Sequence, residues 1–211
     1  MQTSTNTLGK KSFNLKVLAL DPSLTYTSGT AGNDQISGTL GNDVIAGNAG
    51  NDVIAGNDGD DFLLGNRGDD FLLGNRGNDT LHGGEQNDTV YGGLGNDLVY
   101  GDEGNDFVSG DQADDRLYGG EGADIFFYGG ENPRLAADAG NDIISDFTFD
   151  GAVTGDRIQF AGLGTAYDSY SEVMSAAHQT ADGVLFDFGA NRTLLVEHVT
   201  VAELTSNYFI F

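Results

Sequence analysis

Residues 47–55 read GNAGNDVIA, residues 56–64 read GNDGDDFLL and residues 65–73 read GNRGDDFLL. All three segments carry glycine at the first and fourth positions, aspartate at the sixth and an apolar residue at the eighth. The same nine-residue frame runs without insertion from Gly29 to Phe127, which makes eleven consecutive units. Self-similarity at a short fixed period is typical of solenoid proteins, in which each repeat stacks on its neighbours. The repeat therefore decides the fold of the central part of the chain.

Two weaker units extend the frame to residue 145. Residues 128–136 (YGGENPRLA) carry Pro133 where aspartate belongs, whereas residues 137–145 (ADAGNDIIS) restore Asp142 and Ile144 at the expected positions. Counted in this way, the chain has 13 units, of which 12 contain the aspartate.

The chain is strongly acidic, and most of its acidity lies in the repeats. The 211 residues include 33 Asp and Glu against 9 Lys and Arg, for a formal net charge of −24, of which residues 29–127 contribute −17. Such a charge repels nucleic-acid phosphates and anionic membrane surfaces. No apolar stretch reaches the roughly 18 residues that a membrane span needs, and the absence of cysteine excludes disulfides and thiolate metal sites. The composition predicts no nucleic-acid partner and no membrane span, and it favours cations as partners.

Each unit is predicted to form a six-residue turn and a three-residue strand. Glycine and asparagine at fixed places supply the positive φ angles of a sharp turn, and the apolar eighth residue points one side chain inward. Two units then make a coil of 18 residues with strands on opposite sides, and coils stack at about 4.8 Å. We therefore predict an all-β fold, a parallel β-roll of 18-residue coils followed by a small C-terminal β-rich cap with one short helix.

The aspartates at position six are the candidate metal ligands, because equivalent residues 18 apart stack in rows along the two edges of the roll. Carboxylates about 5 Å apart repel by roughly 3 kcal/mol per pair at an effective dielectric constant near 20. Carboxylate and backbone carbonyl oxygens, without His or Cys, suit a hard cation, and a flexible oxygen cage suits Ca²⁺ better than Mg²⁺. A site between neighbours in each row predicts roughly 8–10 Ca²⁺ per chain. The turns at Gln86, Ala113 and Ala137 lack the expected glycine.

The first row is predicted to contain Asp34, Asp52, Asp70, Asp88, Asp106, Asp124 and Asp142. The second row is predicted to contain Asp43, Asp61, Asp79, Asp97 and Asp115.

Units such as GNAGNDVIA (47–55) and GGLGNDLVY (92–100) resemble the GGxGxDxUx signature of the repeats-in-toxin (RTX, hemolysin-type) calcium-binding β-roll family. The resemblance covers residues 29–145. It implies Ca²⁺ held by the position-six aspartates and turn carbonyls, folding coupled to calcium, and export by a type I secretion apparatus. The protein would then be secreted, and extracellular or on the cell surface. The block that follows resembles the segment after the RTX repeats of serralysin-like proteases and alginate epimerases.

Three segments are predicted: an N-terminal arm or cap (1–28), the RTX nonapeptide β-roll (29–145), and a C-terminal cap with a type I secretion signal (146–211). The apolar end, residues 204–211, resembles the uncleaved export signal of type I substrates. A last strand that closes the cap is an equally good and compatible interpretation.

Within the C-terminal cap, residues 143–149 and 157–160 are predicted to be strands joined by a turn at 150–155. A capping box of Ser169 and Glu172 predicts the start of a short helix. Residues 184–188 and 192–199 then read as a hairpin.

No catalytic constellation accompanies the repeats, since neither an HExxH nor a GxSxG motif occurs, and His82, His178 and His198 lie in unrelated contexts. We predict a non-enzymatic, secreted calcium-binding protein whose folding is triggered by extracellular Ca²⁺. The alternative is a calcium-dependent carbohydrate-binding or adhesive surface module, the non-catalytic part of a polysaccharide-acting enzyme. It rests on the outward positions seven and nine, whose apolar and aromatic ladders need a cover. The cover is the protein's own N-terminal arm or C-terminal segment, or else a partner, another copy or a polysaccharide on which tyrosines could stack. The tyrosines concerned are Tyr91, Tyr100 and Tyr118.

Overall fold

A computed structural model describes residues 24–129, 140–149, 155–163, 167–189 and 192–211, together with the backbone of two short N-terminal strands. These are β1 (Asn6–Leu8) and β2 (Lys11–Phe13), which pair antiparallel. Pro133, Ala137 and most of the turn predicted at 150–155 lie outside the described residues.

Two sheets, each built from strands that alternate along the chain, form the rest of the described structure. The ten-stranded sheet contains β3 (Thr25–Ser28), β5 (Asp43–Ala49), β7 (Phe62–Arg67), β9 (Thr80–Glu85), β11 (Leu98–Glu103), β13 (Arg116–Glu121), β15 (Asn141–Ile144), β17 (Ala177–Gln179), β18 (Gly183–Asp187) and β19 (Thr193–Glu197). The eight-stranded sheet contains β4 (Gln35–Ser37), β6 (Val53–Asp58), β8 (Phe71–Arg76), β10 (Thr89–Leu94), β12 (Phe107–Gln112), β14 (Ile125–Gly129), β16 (Arg157–Ala161) and β20 (Phe209–Ile210).

Neighbouring strands within the roll are parallel and 18 residues apart, as the repeat predicts. Val90 of β10, for example, lies opposite Leu72 of β8 on one side and Val108 of β12 on the other. The fold is therefore a parallel β-roll of 18-residue coils, and the predicted fold class is confirmed.

The strands are longer than the three residues predicted. From β6 to β13 each runs over six residues, from position seven of one unit to position three of the next. The ladder skips position one, so Tyr91 pairs with Leu73 and Gly93 with Asn75. The prediction was wrong because the backbone bends at the glycine of position one and then resumes pairing.

The core is a double column of position-eight side chains between the two sheets. Ten of them have 0% exposure, which is the burial that a side chain facing the opposite sheet should have. They are Ile45, Ile54, Leu63, Leu72, Leu81, Val90, Val99, Val108, Leu117 and Phe126.

Each interior turn uses positive φ angles at positions two and four. At position two, asparagine or aspartate adopts φ values of 74° to 82° where glycine is absent, and these two residue types tolerate that region better than others. At position four, Gln86 (φ 84°) and Ala113 (φ 79°) take the same conformation as the glycines elsewhere. The two turns without the expected glycine therefore keep the conformation of the turn.

The C-terminal residues continue both sheets. Strand β15 joins β13, β16 joins β14, and β18 and β19 form the predicted antiparallel hairpin, to which β17 adds a strand that was not predicted. The strand predicted over 143–149 ends at Ile144. The last strand, β20, pairs with β16, which confirms the interpretation of the chain end as a strand. The division at residue 145 stays a prediction, and the core continues across it.

One short helix, α1 (Tyr170–Ser175), and a 3-10 helix (Ser206–Tyr208) lie among the described residues of the cap. Ser169 precedes α1 as predicted, but its hydroxyl contacts the Glu172 carboxylate at 2.5 Å and makes no capping bond to the backbone. No helix in the described part of the chain is long and apolar enough to cross a membrane.

Candidate metal centre

The position-six aspartates form two buried rows, one along each edge of the roll. Eleven of the twelve predicted ligands are at most 3% exposed, and Asp34, at the start of the first row, is half-buried. In each row, the backbone N–H of one aspartate donates to Oδ1 of the aspartate in the next coil. The Asp52 N–H thus lies 2.7 Å from Oδ1 of Asp70, and the Asp61 N–H lies 2.8 Å from Oδ1 of Asp79. This bond aligns consecutive carboxylates along the row.

The second carboxylate oxygen, Oδ2, has no hydrogen-bond partner in nine of these residues, although it is fully buried. A buried polar atom without a partner is costly, and a buried charge without one is costlier. Nine such atoms in two regular rows are a repeated feature of the fold rather than a local defect. They belong to Asp52, Asp61, Asp70, Asp79, Asp88, Asp97, Asp106, Asp115 and Asp124.

In seven of the nine turns, a backbone carbonyl oxygen of the next coil shares a space with the unpartnered oxygen, and glycine at position one keeps that space open. A methyl group built on Gly83 would overlap Oδ2 of Asp88 and would lie 2.7 Å from the carbonyl oxygen of Gly101 in the next coil. A methyl group built on Gly92 would likewise overlap Oδ2 of Asp97. The repeat therefore brings one carboxylate oxygen and one carbonyl oxygen of the next coil to a common space.

Burial raises the pKa of these carboxyl groups, because the charged form loses its solvation. The pKa of Asp88 rises to about 9, first through desolvation and then through repulsion from Asp106 and Asp70, against the lowering effect of the Asp70 backbone N–H. Desolvation likewise raises the pKa of Asp97 to about 8 and that of Asp115 to about 9. Ionised rows without counter-ions are thus electrostatically strained, and a cation between the turns would relieve the strain.

The donor set fits a calcium ion. Among the described residues no three His, Cys, Asp or Glu side chains come together as a metal-binding group. A cation at these turns would therefore be held by carboxylate and carbonyl oxygens, as the sequence predicts, and such all-oxygen sites with flexible geometry suit Ca²⁺. The position-six aspartates and the position-one carbonyls would hold it.

The C-terminal ends of the two rows differ from the prediction. Asp142 was placed in the first row, after Asp124, but its Oδ1 accepts the N–H of Asp115 at 3.1 Å, so it ends the second row. The first row ends instead with Asp156, whose Oδ1 accepts the Asp124 N–H at 2.9 Å. Strand β15 pairs with β13 at an offset of 27 residues rather than 18, and this extra unit moves Asp142 to the other edge.

The repeat does not predict Asp156 as a ligand, because Asp156 lies out of phase with the nine-residue frame. The segment Gly155-Asp156-Arg157-Ile158 nevertheless carries an aspartate followed two residues later by a buried apolar residue, as each repeat does. That local pattern is the feature of the sequence from which Asp156 could have been predicted as a ligand.

The outer faces of both sheets carry ring ladders at positions seven and nine. On the ten-stranded sheet His82 stacks on Tyr100 (ring centroids 4.3 Å apart), and Tyr100 stacks on Tyr118 (4.6 Å). His82 also bonds the Asp102 carboxylate through Nδ1 at 2.9 Å, whereas His178 and His198 are exposed. The three histidines thus lie in separate places and build no common site.

Buried carboxylate rows on an 18-residue parallel β-roll define a class of repeat protein that takes cations between its turns. The family model of the RTX calcium-binding nonapeptide repeat (4 copies) matches residues 28–63, 64–99 and 100–135, which is just over half of the chain. The chain belongs to this family, and its repeats are calcium-binding repeats.

The solved structures that are similar to the chain include an epimerase subunit and a lipase. A subunit of the mannuronan C5-epimerase from Azotobacter vinelandii is 30% identical, with a TM-score of 0.43, over 68% of this chain and 80% of its own. The extracellular lipase from Serratia marcescens is 17% identical, with a TM-score of 0.40, over 90% of this chain. The chain spans 40% of the length of the lipase. No curated protein sequence matches the chain.

Proposed function

We propose that this chain is a secreted, non-catalytic calcium-binding β-roll whose folding is triggered by extracellular Ca²⁺. The observation that carries the proposal is the set of nine buried Oδ2 atoms without a hydrogen-bond partner, seven of which share the space beside a position-one glycine with a backbone carbonyl of the next coil. A cation satisfies both of the oxygen acceptors that share this space.

The energetics favour a chain that stays unfolded without calcium. Like charges about 5 Å apart repel by roughly 3 kcal/mol per pair at an effective dielectric constant near 20, and each row repeats this contact. The net stability of a domain is only about 5–15 kcal/mol, so a few such pairs offset it. Calcium removes the repulsion and adds its own binding free energy to folding.

Circular dichroism of the full chain tests the proposal. In excess chelator the spectrum should lack β structure, and adding Ca²⁺ should produce it together with a fall in hydrodynamic radius. Mg²⁺ at the same concentration is the control, because it demands a stricter octahedral geometry and should induce folding poorly. A chain that is already β-rich in chelator, or a calcium titration that ends at two or fewer bound ions, would refute the proposal.

Export through a type I apparatus is part of the same proposal. Family membership supports it, and so does the calcium requirement, which would keep the chain unfolded until it reaches a calcium-rich medium. Co-expression with a type I apparatus should place the full chain in the medium, and a transporter-deficient strain is the control. Equal amounts in the medium of both strains would contradict this route.

A second candidate function, polysaccharide binding, is favoured by the outer face of the eight-stranded sheet. Phe71, Tyr91, Phe107 and Phe127 form a continuous ladder on this face, with neighbouring ring centroids 5.6 to 5.8 Å apart. The last three rings line a groove of about 880 Å³. Aromatic faces of this kind can stack on sugar rings, and a mannuronan C5-epimerase subunit is among the similar structures.

A glycan-binding screen with and without Ca²⁺ separates the two candidates. Binding that needs Ca²⁺ and is lost in Tyr91→Ala, but is kept in Tyr118→Ala on the opposite sheet, would support the second candidate. Absence of binding to any glycan at saturating Ca²⁺ would leave calcium-triggered folding as the function.

A further inference from the structure

The first aspartate of each row is bonded differently from those that follow. Oδ2 of Asp34 accepts the backbone N–H of Thr30 at 2.6 Å and its hydroxyl at 2.9 Å. Oδ2 of Asp43 accepts the N–H of Thr39 at 2.6 Å and its hydroxyl at 3.0 Å. In both turns the threonine occupies position two of the aspartate's own unit.

The same pair of bonds recurs at the far end of the first row. Oδ2 of Asp156 accepts the Thr148 N–H at 2.7 Å and the Thr148 hydroxyl at 3.1 Å. This pair does not follow the repeat, since Thr148 lies eight residues before Asp156 and outside the nine-residue frame. Three threonine–aspartate pairs thus have one geometry in two unrelated sequence contexts.

Position two distinguishes these turns from the interior ones. In the units that begin at Gly47 and end at Phe127, position two is asparagine, aspartate or glycine, always with positive φ, and Oδ2 of the aspartate is unpartnered. Thr30 and Thr39 are not among the positive-φ residues. Threonine avoids positive φ because its branched Cβ clashes with the backbone there.

The peptide between positions one and two is oriented so that its N–H faces the aspartate. The carbonyl oxygens of Gly29 and Gly38, which precede the two threonines, accept the side-chain amides of Asn48 and Asn57 at 2.7 and 2.8 Å. Since the C=O of position one and the N–H of position two belong to one peptide, the N–H is then directed at the aspartate. A cation cannot lie where an N–H and an O–H already point at the carboxylate, because their hydrogens carry positive partial charge.

We propose that the residue at position two decides whether a turn takes calcium, and that threonine closes a row without metal. This inference rests on the proposed function, because it concerns the same sites. It assigns nine calcium sites to the interior of the roll, one for each unpartnered Oδ2, and none to the turns of Thr30, Thr39 and Thr148, although Oδ1 of Asp43 is also buried without a partner. Both rows then begin with a metal-free turn, and the first row also ends with one.

The turn of Asp43 is one substitution away from an interior site. A methyl group built on Gly38 would lie 2.7 Å from Oδ2 of Asp43 and would overlap the carbonyl oxygen of Gly56. The carboxylate and the carbonyl of the next coil are therefore in place, as at interior turns. Only the donors of Thr39 occupy the site.

Exchange of the position-two residues tests the inference, with bound Ca²⁺ counted by native mass spectrometry of the full chain. Thr39→Gly should raise the count by one over the wild-type chain, and Asn75→Thr should lower it by one. Asn75→Gly is the matched control, because glycine stands at the equivalent Gly93, and its count should not change.

Unchanged counts in both Thr39→Gly and Asn75→Thr would overturn the inference while leaving the proposed function intact. A wild-type count of two or fewer ions would instead overturn the proposed function. If Asn75→Thr fails to fold, Thr39→Gly alone decides, since a gained ion has no explanation in misfolding and an unchanged count contradicts the inference.

Discussion

Replacing Asp70 with asparagine should remove one calcium site and, at the same time, make the metal-free chain easier to fold. Asp70 is 3% exposed, its Oδ1 accepts the Asp52 N–H at 2.7 Å, and its Oδ2 is unpartnered. The amide of asparagine keeps the first bond through its own Oδ1. It replaces the second oxygen with an N–H donor, which binds no cation and carries no charge.

The expected change in the calcium dependence of the free energy of unfolding follows from the linkage between calcium binding and folding. Well above the site dissociation constant, each bound ion adds about 1.4 kcal/mol to the free energy of unfolding for every tenfold rise in calcium concentration. Nine sites should give a slope of about 12 kcal/mol per tenfold change, and Asp70→Asn should lower that slope by about 1.4 kcal/mol. The slope does not depend on the stability of the metal-free roll, so the loss of a buried charge leaves it unaffected.

Urea unfolding at a series of free calcium concentrations, followed by circular dichroism, measures the slope. The control is Asp60→Asn, because Asp60 is exposed at position five, loses the same unit of charge, and keeps the bond in which its Oδ1 accepts the Asn78 N–H at 2.8 Å. Its slope should equal that of the wild-type chain. Equal slopes for the two variants would mean that position six does not hold the ions.

Gly83→Ala should abolish the calcium site at Asp88, because the added methyl group overlaps Oδ2, and calcium counting should show one ion fewer. Gly41→Ala is the control, because its methyl group meets nothing within 4 Å, and it should keep the full count. Leu72→Ala should lower the free energy of unfolding at saturating calcium by about 2–5 kcal/mol, since the side chain has 0% exposure, whereas Leu94→Ala, 40% exposed, should cost far less in the same urea titration. Burial raises the pKa of Asp88 in the metal-free roll from 3.8 to about 9, so its bound proton stabilises that roll fully below pH 3.8, and the contribution is lost progressively as pH rises from there to about 9. In chelator, circular dichroism should therefore show more β structure at pH 5 than at pH 8, and the opposite order would contradict the burial of the row.

The regular part of the fold was predictable because the repeat has one register. With no insertion from Gly29 to Phe127, every residue stacks on its equivalent 18 positions away, so Val90 meets Val108 and Asp70 meets Asp88. Burial at position eight and the alignment of carboxylates at position six follow from that translation alone. Strand length did not follow, because it depends on how the backbone bends at the glycine of position one.

The last aspartate of each row could not be predicted from the nine-residue period. Asp142 keeps the phase of the sequence but lies on the other edge, and Asp156 lacks the phase but ends the first row. Which sheet edge the next strand joins is a property of the stacked coils and not of the residue count. The hydrogen bonds from Thr30 and Thr39 to the aspartates could not be predicted from the sequence either, since they depend on the orientation of one peptide in each turn.

The 27-residue step between β13 and β15 has a consequence for how such a chain can change length in evolution. A duplication or loss of 18 residues leaves both sheets and both rows as they were, whereas a change of nine exchanges the edges for everything downstream. A change by an even number of units therefore keeps both rows, whereas a change by an odd number does not. Here β15 joins β13 at an offset of 27 residues, one unit more than a coil, and so brings Asp142 to Asp115. Natural length variants of this protein should accordingly differ by whole coils, or by single units only where a connection outside the stack takes up the difference.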